Sequence, residues 1–572
     1  MTTLLAFLVA VVGGFLLNKP LPPEVTHANQ ILAVVGWGLV LLCAPAPPLP
    51  ARTWRAAAPL LAALGVVGLA CVASVLAGGQ PVSPALATLG VLALAALLVM
   101  HGAAWGANDL SRAFQPFAIA LVGAALGNAL VSVVQIFAPG MADNGFIAMS
   151  TVPGRAVGNL GQANQLADAQ ICALAALVPL AQGGRALGRW SAGLFGAAAL
   201  AMILTVMLSA SRTGLLGIGL LATWGVLDRQ LAPGVRRALW SAPVLALLAW
   251  AALQAGMGAH LIGDVGNHAG NFSAHRDVLW GDALRLIAQS PWLGVGWGQF
   301  NFALALTPGL ELAPTLYDNA HNLVLQLAVE LGVPLAALVL GLLLVAAWRG
   351  ARAALAAPGQ DGNCLRAVLV MLAMIGLHSM LEYPLWYAYF LLPAAWAWGL
   401  ALGAGGTRRA AAEPLFQAPP AAPLRAWRIA GGLFVAAGAS AWLAYLGVVA
   451  IYQPGRDATP LNQRIAAAES GLLFSIHADR FLATRAQDPA QVLPQIQRSA
   501  RVLADGHTLY VWALALEATG EHDKARFVAA RLRDLRQPAA APFFAPCDDP
   551  AVAQKPFQCL PPQAPLSWRD LR

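Results

Sequence analysis

Charge is what this sequence has least of. Asp, Glu, Lys and Arg together make up 10% of the 572 residues, against about 25% in a soluble globular chain. With 59% hydrophobic residues and a mean hydropathy of +0.65, that shortage excludes a wholly soluble chain and places most of it in a membrane. Nucleic-acid motifs are missing too, so the net charge of +8 is read through topology and not as a footprint for DNA or RNA. Thr2–Leu17 has neither the basic start nor the cleavage site of a secretory signal, which makes it a retained first helix. The glycine-rich run GVGWGQF (294–300) has no strand before it and no βαβ unit around it, so its glycines are turn formers and not a nucleotide loop. Cysteine is sparse: Cys43, Cys71, Cys172 and Cys364 lie in or beside apolar runs as ordinary small buried residues. Cys547 and Cys559 stand in a polar tail without the spacing or histidine partners of a zinc site, and in an oxidising compartment they would pair as a disulfide. No carboxylate cluster suggests a metal.

Apolar segments at about 2–17, 30–44, 59–77, 85–104, 114–138, 164–181, 191–209, 213–227, 238–255, 322–348, 365–381, 384–402 and 429–451 predict an all-α, polytopic bundle of about thirteen transmembrane helices. Loops after even-numbered segments hold fifteen arginines, among them Arg52, Arg112, Arg229 and Arg349. Those after odd-numbered segments hold only Lys19, Arg155, Arg212, Arg276 and Arg285. The positive-inside rule then puts the N-terminus in the cytoplasm and the tail outside. Two domains are expected: a membrane domain over 1–451, with a large outer loop at about 256–321, and a helical domain over 452–572. In that tail, LYVWALALEATGEHDKARFVAARLRDL reads as two helices joined at Gly520-Glu521, loosely like one tetratricopeptide repeat, and the Pro-rich end from Ala541 reads as irregular.

Ionisable residues on the outer face escape the topological explanation. Tyr317–Gly332 (YDNAHNLVLQLAVELG) is a polar cluster running into a long apolar helix that continues to Trp348, with Asp318 or Asn319 as N-cap and His321 in the first turn. There the positive end of the helix dipole disfavours a charged ring, and His321 is either a general base or a plain interfacial residue. Arg212 occupies the very short SASRTG turn, where a charge needs a partner, a wet cavity or a snorkelling route. Arg155 lies in a Gly- and amide-rich loop with Gln162 and Asn164, which are either ligands for a hydroxylated substrate or helix-entry residues. Residues 275–289 show amphipathic helical spacing, with Arg276 in the first turn. Near 378–389, His378 and Glu382 are one turn apart, and Glu382 and Tyr383 face outward beside an aromatic belt.

Taken together, HRDVLWGDALRLIAQSPWLGVGWGQF, DNAHNLVLQLAVELG, SRTGLLGI and GRAVGNLGQANQLA resemble the signature region of the O-antigen ligase and polymerase superfamily. NKPLPPEVTHANQ, LEYPLWYAYF and the extra tail look most like bacterial protein O-oligosaccharyltransferases of the pilin-glycosylating type. The resemblance implies an inner-membrane glycosyltransferase that takes an oligosaccharide from undecaprenyl diphosphate on the periplasmic face and needs no cofactor or metal. It implies His321 as the essential histidine, and Arg212 and Arg276, with Arg155 as an additional contact, as ligands of the donor diphosphate. Gln162 and Tyr383 match further family positions, beside Asn164 and Glu382 as substrate-binding candidates. The implied partners are the lipid-linked glycan, a periplasmic or pilin-like acceptor protein and membrane lipids, with no nucleic acid. Attachment of glycan to lipid A-core, O-antigen polymerisation and, from another class, lipid-linked-sugar transport remain open. A transporter would be expected to carry ionisable residues at mid-membrane and internal repeats, neither of which stands out in the sequence.

Overall fold

The computed structural model describes residues 2–47, 49–150, 152–183, 191–257, 276–312, 317–408, 424–453 and 459–572. Among them the chain is all-helical, with no strand. Each expected apolar segment is helical: α1 (Thr2–Phe15), α2 (His27–Cys43), α3 (Ala51–Leu76), α4 (Val82–Asn108), α5 (Leu110–Phe137), α6 (Ala163–Gly183), α7 (Ser191–Leu208), α8 (Arg212–Leu227), the bent pair α9 (Pro233–Trp240) and α10 (Ala242–Met257), and, beyond two loop helices, α13 (Leu323–Ala356), α14 (Gly359–Ser379), α15 (Ala388–Arg408) and α16 (Leu424–Tyr452). The loop helices are α11 (Arg276–Gln289) and α12 (Phe300–Leu306). Among the described residues, eight helices are long and apolar enough to cross a membrane, and the α9–α10 pair passes the same test together. At 1.5 Å per residue the 14 residues of α1 reach only about 21 Å, short of a hydrocarbon core of about 30 Å.

The chain divides into two compact units: unit 1, Met1–Leu64, Val91–Gly270 and Gly341–Trp442; unit 2, Gly65–Gly90, Asn271–Leu340 and Leu443–Arg572. Unit 1 is a helical bundle around an aromatic centre. The rings of Phe7, Trp37, Phe117 and Trp396 lie 5.0–6.3 Å apart. Small residues set its closest crossing: a Cβ on Gly102 would stand 2.2 Å from the Trp396 carbonyl, and one on Gly399 2.2 Å from that of Val99. With no hydrophobic force between helices in lipid, such backbone approach supplies the packing that holds them. Cys71, Cys172 and Cys364 are buried as expected, whereas Cys43 is exposed.

In unit 2 the loop helices α11 and α12 and the tail share one apolar core, in which Leu286, Phe300 and Leu306 join Trp512, Leu516 and Phe527. Asn301 ties the two parts: its Oδ1 accepts from Ala504 N (2.7 Å), while its amide donates to the Tyr317 carbonyl (3.0 Å). The hairpin expected around Gly520 is present, with Gly506–Ala518 and His522–Asp534 as its arms and Gly520 at φ 84°. The chain end differs from the irregular expectation. Ala541–Asp548 is helical, Cys547 and Cys559 are disulfide-bonded, and Trp568 and Leu571 are buried, because the end brings apolar side chains that the core accepts.

The long helix after the polar cluster runs on to Ala356, beyond the expected Trp348, and it is broken. Gly332 sits at φ 75°, ψ 162° inside α13. The freed Val333 N–H donates to the Pro291 carbonyl (2.7 Å), and Val295 and Gly296 donate to the carbonyls of Val329 (2.8 Å) and Glu330 (3.0 Å). The glycine-rich loop therefore seats on the break through these backbone bonds, and its Phe300 N–H also donates to the Glu330 carboxylate (3.3 Å). A Cβ on Gly332 would lie 2.5 Å from the Trp292 carbonyl, and one on Gly294 2.5 Å from Glu330. Gly332→Ala combines left-handed strain with a backbone clash, together about 2–6 kcal/mol. The expected outcome is a markedly lowered thermal midpoint and folded yield in detergent, measured beside Gly281→Ala, whose added Cβ meets nothing within 4 Å.

Candidate functional site

The expected site residues cluster at two polar turns, one in each unit.

In unit 2 the His321 turn departs from the sequence expectation. His321 precedes the helix, at φ 51° in the left-handed region, and α13 begins at Leu323. The cap is Asn322, not Asp318 or Asn319: its Oδ1 accepts from Val324 N (3.0 Å) and Leu325 N (3.1 Å). Asn319 instead uses its Oδ1 to accept from His321 N (2.9 Å). Ala320, fully buried, has both backbone groups satisfied by side chains. Its N–H donates to Gln326 Oε1 (2.8 Å), and its carbonyl accepts from Trp280 Nε1 (3.0 Å). The Tyr317 ring meets the His321 ring edge-on at 5.4 Å. A left-handed non-glycine residue costs about 1–2 kcal/mol, and here four surrounding groups impose it. Such over-determined strain is a mark of a functional turn. His321 is half-buried, and so is Arg276 at the start of α11, where it was expected.

The unit 1 turn is Ser209–Arg212, between α7 and α8. Ala210 also has a positive φ, 46°. Ser211 caps α8 by accepting from Gly214 N (3.1 Å), and its hydroxyl donates to Asn164 Oδ1 (2.7 Å); the Asn164 amide in turn donates to Glu382 Oε1 (3.2 Å). From the facing loop, Arg155 Nε donates to the Ser209 carbonyl (2.8 Å), and Ala156 N to that of Leu208 (2.9 Å). Burial lowers the Arg155 pKa; the nearby Glu382 carboxylate opposes that shift and the Arg212 charge adds to it. Four expected residues are thus gathered: Arg155, Asn164, Arg212 and Glu382. One carboxylate and a second guanidinium thus act on Arg155, and guanidinium groups pair with oxyanions. Gln162 stands at the entry of α6, where its Oε1 accepts from Gln165 N (2.6 Å). Tyr383 stacks on Tyr387 at 5.7 Å, and Tyr387 on Tyr389 at 5.3 Å. The belt is partly interior, for the Tyr389 hydroxyl is buried and donates to Gln165 Oε1 (2.9 Å).

Sequence reasoning missed Ser211 as the hub of this turn, and it missed Asp168 altogether. Asp168 Oδ2 lies 2.8 Å from His378 Nδ1, with both side chains at 0% exposure. An acid inside an otherwise apolar helix was the available signal. Arg366 is likewise paired with Asp228 (2.6 Å), with both side chains nearly buried.

Residues 197–340 match the model of the O-antigen ligase family, and 366–539 that of a virulence factor membrane-bound polymerase C-terminal region. The first match contains Arg212, Arg276 and His321; Glu382 and Tyr383 fall in the second; Arg155, Gln162 and Asn164 precede both. The chain is also 34% identical over 123 residues to a general O-oligosaccharyltransferase of Acinetobacter baylyi, a segment covering 21% of this chain and 20% of that relative.

Proposed function

We propose that the protein transfers an oligosaccharide en bloc from undecaprenyl diphosphate to Ser or Thr hydroxyls of periplasmic or pilin-like proteins, with inversion at the anomeric carbon. The observation that carries this reading is the gathering of Arg155 and Arg212 on the Ser209–Arg212 turn, near the start of the ligase-family match. A glycosyl diphosphate already holds a good leaving group, so the reaction needs charge stabilisation more than acid catalysis. Guanidinium groups pair bidentately with phosphate oxygens and stay charged as the anion develops. Arg276, in unit 2, is proposed as a further diphosphate ligand on the resemblance alone. His321 takes the acceptor's proton as its oxygen bonds to the anomeric carbon; the bond from that carbon to the diphosphate oxygen breaks, and undecaprenyl diphosphate leaves with the electron pair. Gln162, Asn164, Glu382 and Tyr383 orient the glycan or acceptor. The arginine asymmetry supports an inner-membrane protein with a cytoplasmic N-terminus, and with the 256–321 loop and the tail in the periplasm.

A protein acceptor is favoured by the relative's name, and a lipid A-core acceptor by the name of the matched ligase family. Deleting the gene separates them. Loss of glycan from a periplasmic protein with intact lipopolysaccharide supports the first; loss from lipopolysaccharide alone supports the second. Normal glycosylation of both, together with no transfer by the purified chain in nanodiscs supplied with lipid-linked glycan and acceptor, would falsify the glycosyltransferase reading.

A further inference from the structure

We propose that the Asp168–His378 pair is a positioning device for the polar turn of unit 1, a role that rests on the reading of that turn as the donor site. Asp168 lies one helical turn along α6 from Asn164, and His378 one turn before Glu382. The two contacts, Asn164–Glu382 at 3.2 Å and Asp168–His378 at 2.8 Å, are consecutive rungs between α6 and the end of α14. A third follows a turn deeper, where Cys172 Sγ donates to Asp168 Oδ1 (3.4 Å) and lies 4.0 Å from the Met371 carbonyl. The His378 carbonyl closes the end of the helix by accepting from Glu382 N (2.8 Å) and Leu381 N (3.0 Å). Whatever fixes the His378 ring therefore fixes the turn that presents Glu382. Through Asn164 and Ser211 the same constraint reaches the residue before Arg212.

Stability does not account for the pair. Both side chains are fully removed from solvent, His378 Nε2 is buried with no hydrogen-bond partner among the described residues, and a Phe390 ring stands edge-on at 6.4 Å. A buried ionisable pair is commonly no more stable than two well-packed apolar residues, and an orphaned buried nitrogen adds a desolvation cost. What an apolar pair lacks is direction: the Nδ1–Oδ2 contact sets ring orientation and helix register, which packing alone leaves looser.

The test uses the full chain in nanodiscs. Asp168→Leu combined with His378→Met is expected to keep the wild-type thermal midpoint. Amide exchange should accelerate only over residues 209–214 and 379–384, and kcat/KM should fall about a hundredfold, the loss produced by small misplacement of a reacting constellation. That loss should fall on KM for the lipid-linked donor more than on KM for the acceptor. Asp168→Asn, which keeps an oxygen for His378 Nδ1, should recover most of the turnover. Unchanged local exchange or unchanged turnover in the folded double variant overturns the proposal, as does Asp168→Asn being no better than the double variant. If the double variant does not fold, His378→Asn against His378→Ala reads the same contrast, because the amide keeps a donor for Asp168. Altered exchange in the variants, with a wild-type chain that transfers no lipid-linked glycan, would leave the ladder standing and remove the donor-site reading instead.

Discussion

His321→Ala is expected to lower the transfer rate by about 10²–10⁴-fold, the contribution of a positioned general base, while binding of the lipid-linked donor survives. The asymmetry follows from what each group touches in the proposed reaction. The imidazole meets the acceptor hydroxyl, so its loss is felt when the proton must leave and not when the diphosphate docks. The His321 turn is held by the Asn319, Gln326 and Trp280 side chains, which contact backbone atoms of residues 320 and 321. Truncating the ring therefore leaves the turn's own bonds in place. The measurement is single-turnover transfer and separate donor binding on purified chain, with thermal unfolding as the folding control. Near-normal turnover in folded His321→Ala would return His321 to an interfacial residue and leave its left-handed backbone without a functional reason.

Arg212→Ala and Arg276→Ala should behave differently, weakening donor affinity as well as turnover. A charge-assisted hydrogen bond contributes about 1.5–3 kcal/mol, so each deletion should cost about 10- to 100-fold in donor affinity. Turnover should fall further, because the contact strengthens as the diphosphate departs. Arg→Lys at either position should rescue only in part, since a point charge cannot reproduce the planar fork. Arg212 is exposed at the start of α8 and its Ser211 cap is a separate side chain, so the fold should tolerate both replacements. Donor affinity unaltered in Arg212→Ala, with transfer also unaltered, would leave Arg212 as a residue reaching for the membrane surface.

The helices were legible because their signal is local. Apolar runs and scarce charge specify membrane segments whatever surrounds them, and every expected segment is a helix. The amphipathic stretch at 275–289, the hairpin at Gly520 and the turn-forming glycines of GVGWGQF were equally local, and Gly294, Gly296 and Gly298 all show positive φ. His321, Arg155 and Arg212 could be singled out because ionisable residues outside the arginine-rich loops of this apolar chain are few.

What the sequence could not decide were features set by contacts between distant segments. The cap of α13 moved to Asn322 because Asn319 bonds the backbone of His321 instead, and the break at Gly332 exists because residues 291–296 supply the partners its backbone needs. Asp168 reads as an anomaly in an apolar run until His378, 210 positions away, is placed against it. Ser211 reads as a routine cap until Asn164 reaches it. The tail reads as an appendage, yet its Trp512 and Leu516 complete a core with Phe300 and Leu306 of α12. Composition and periodicity report how a residue meets its solvent and its near neighbours along the chain. Which distant group completes its hydrogen bonds or fills the space beside it depends on the packing of the whole.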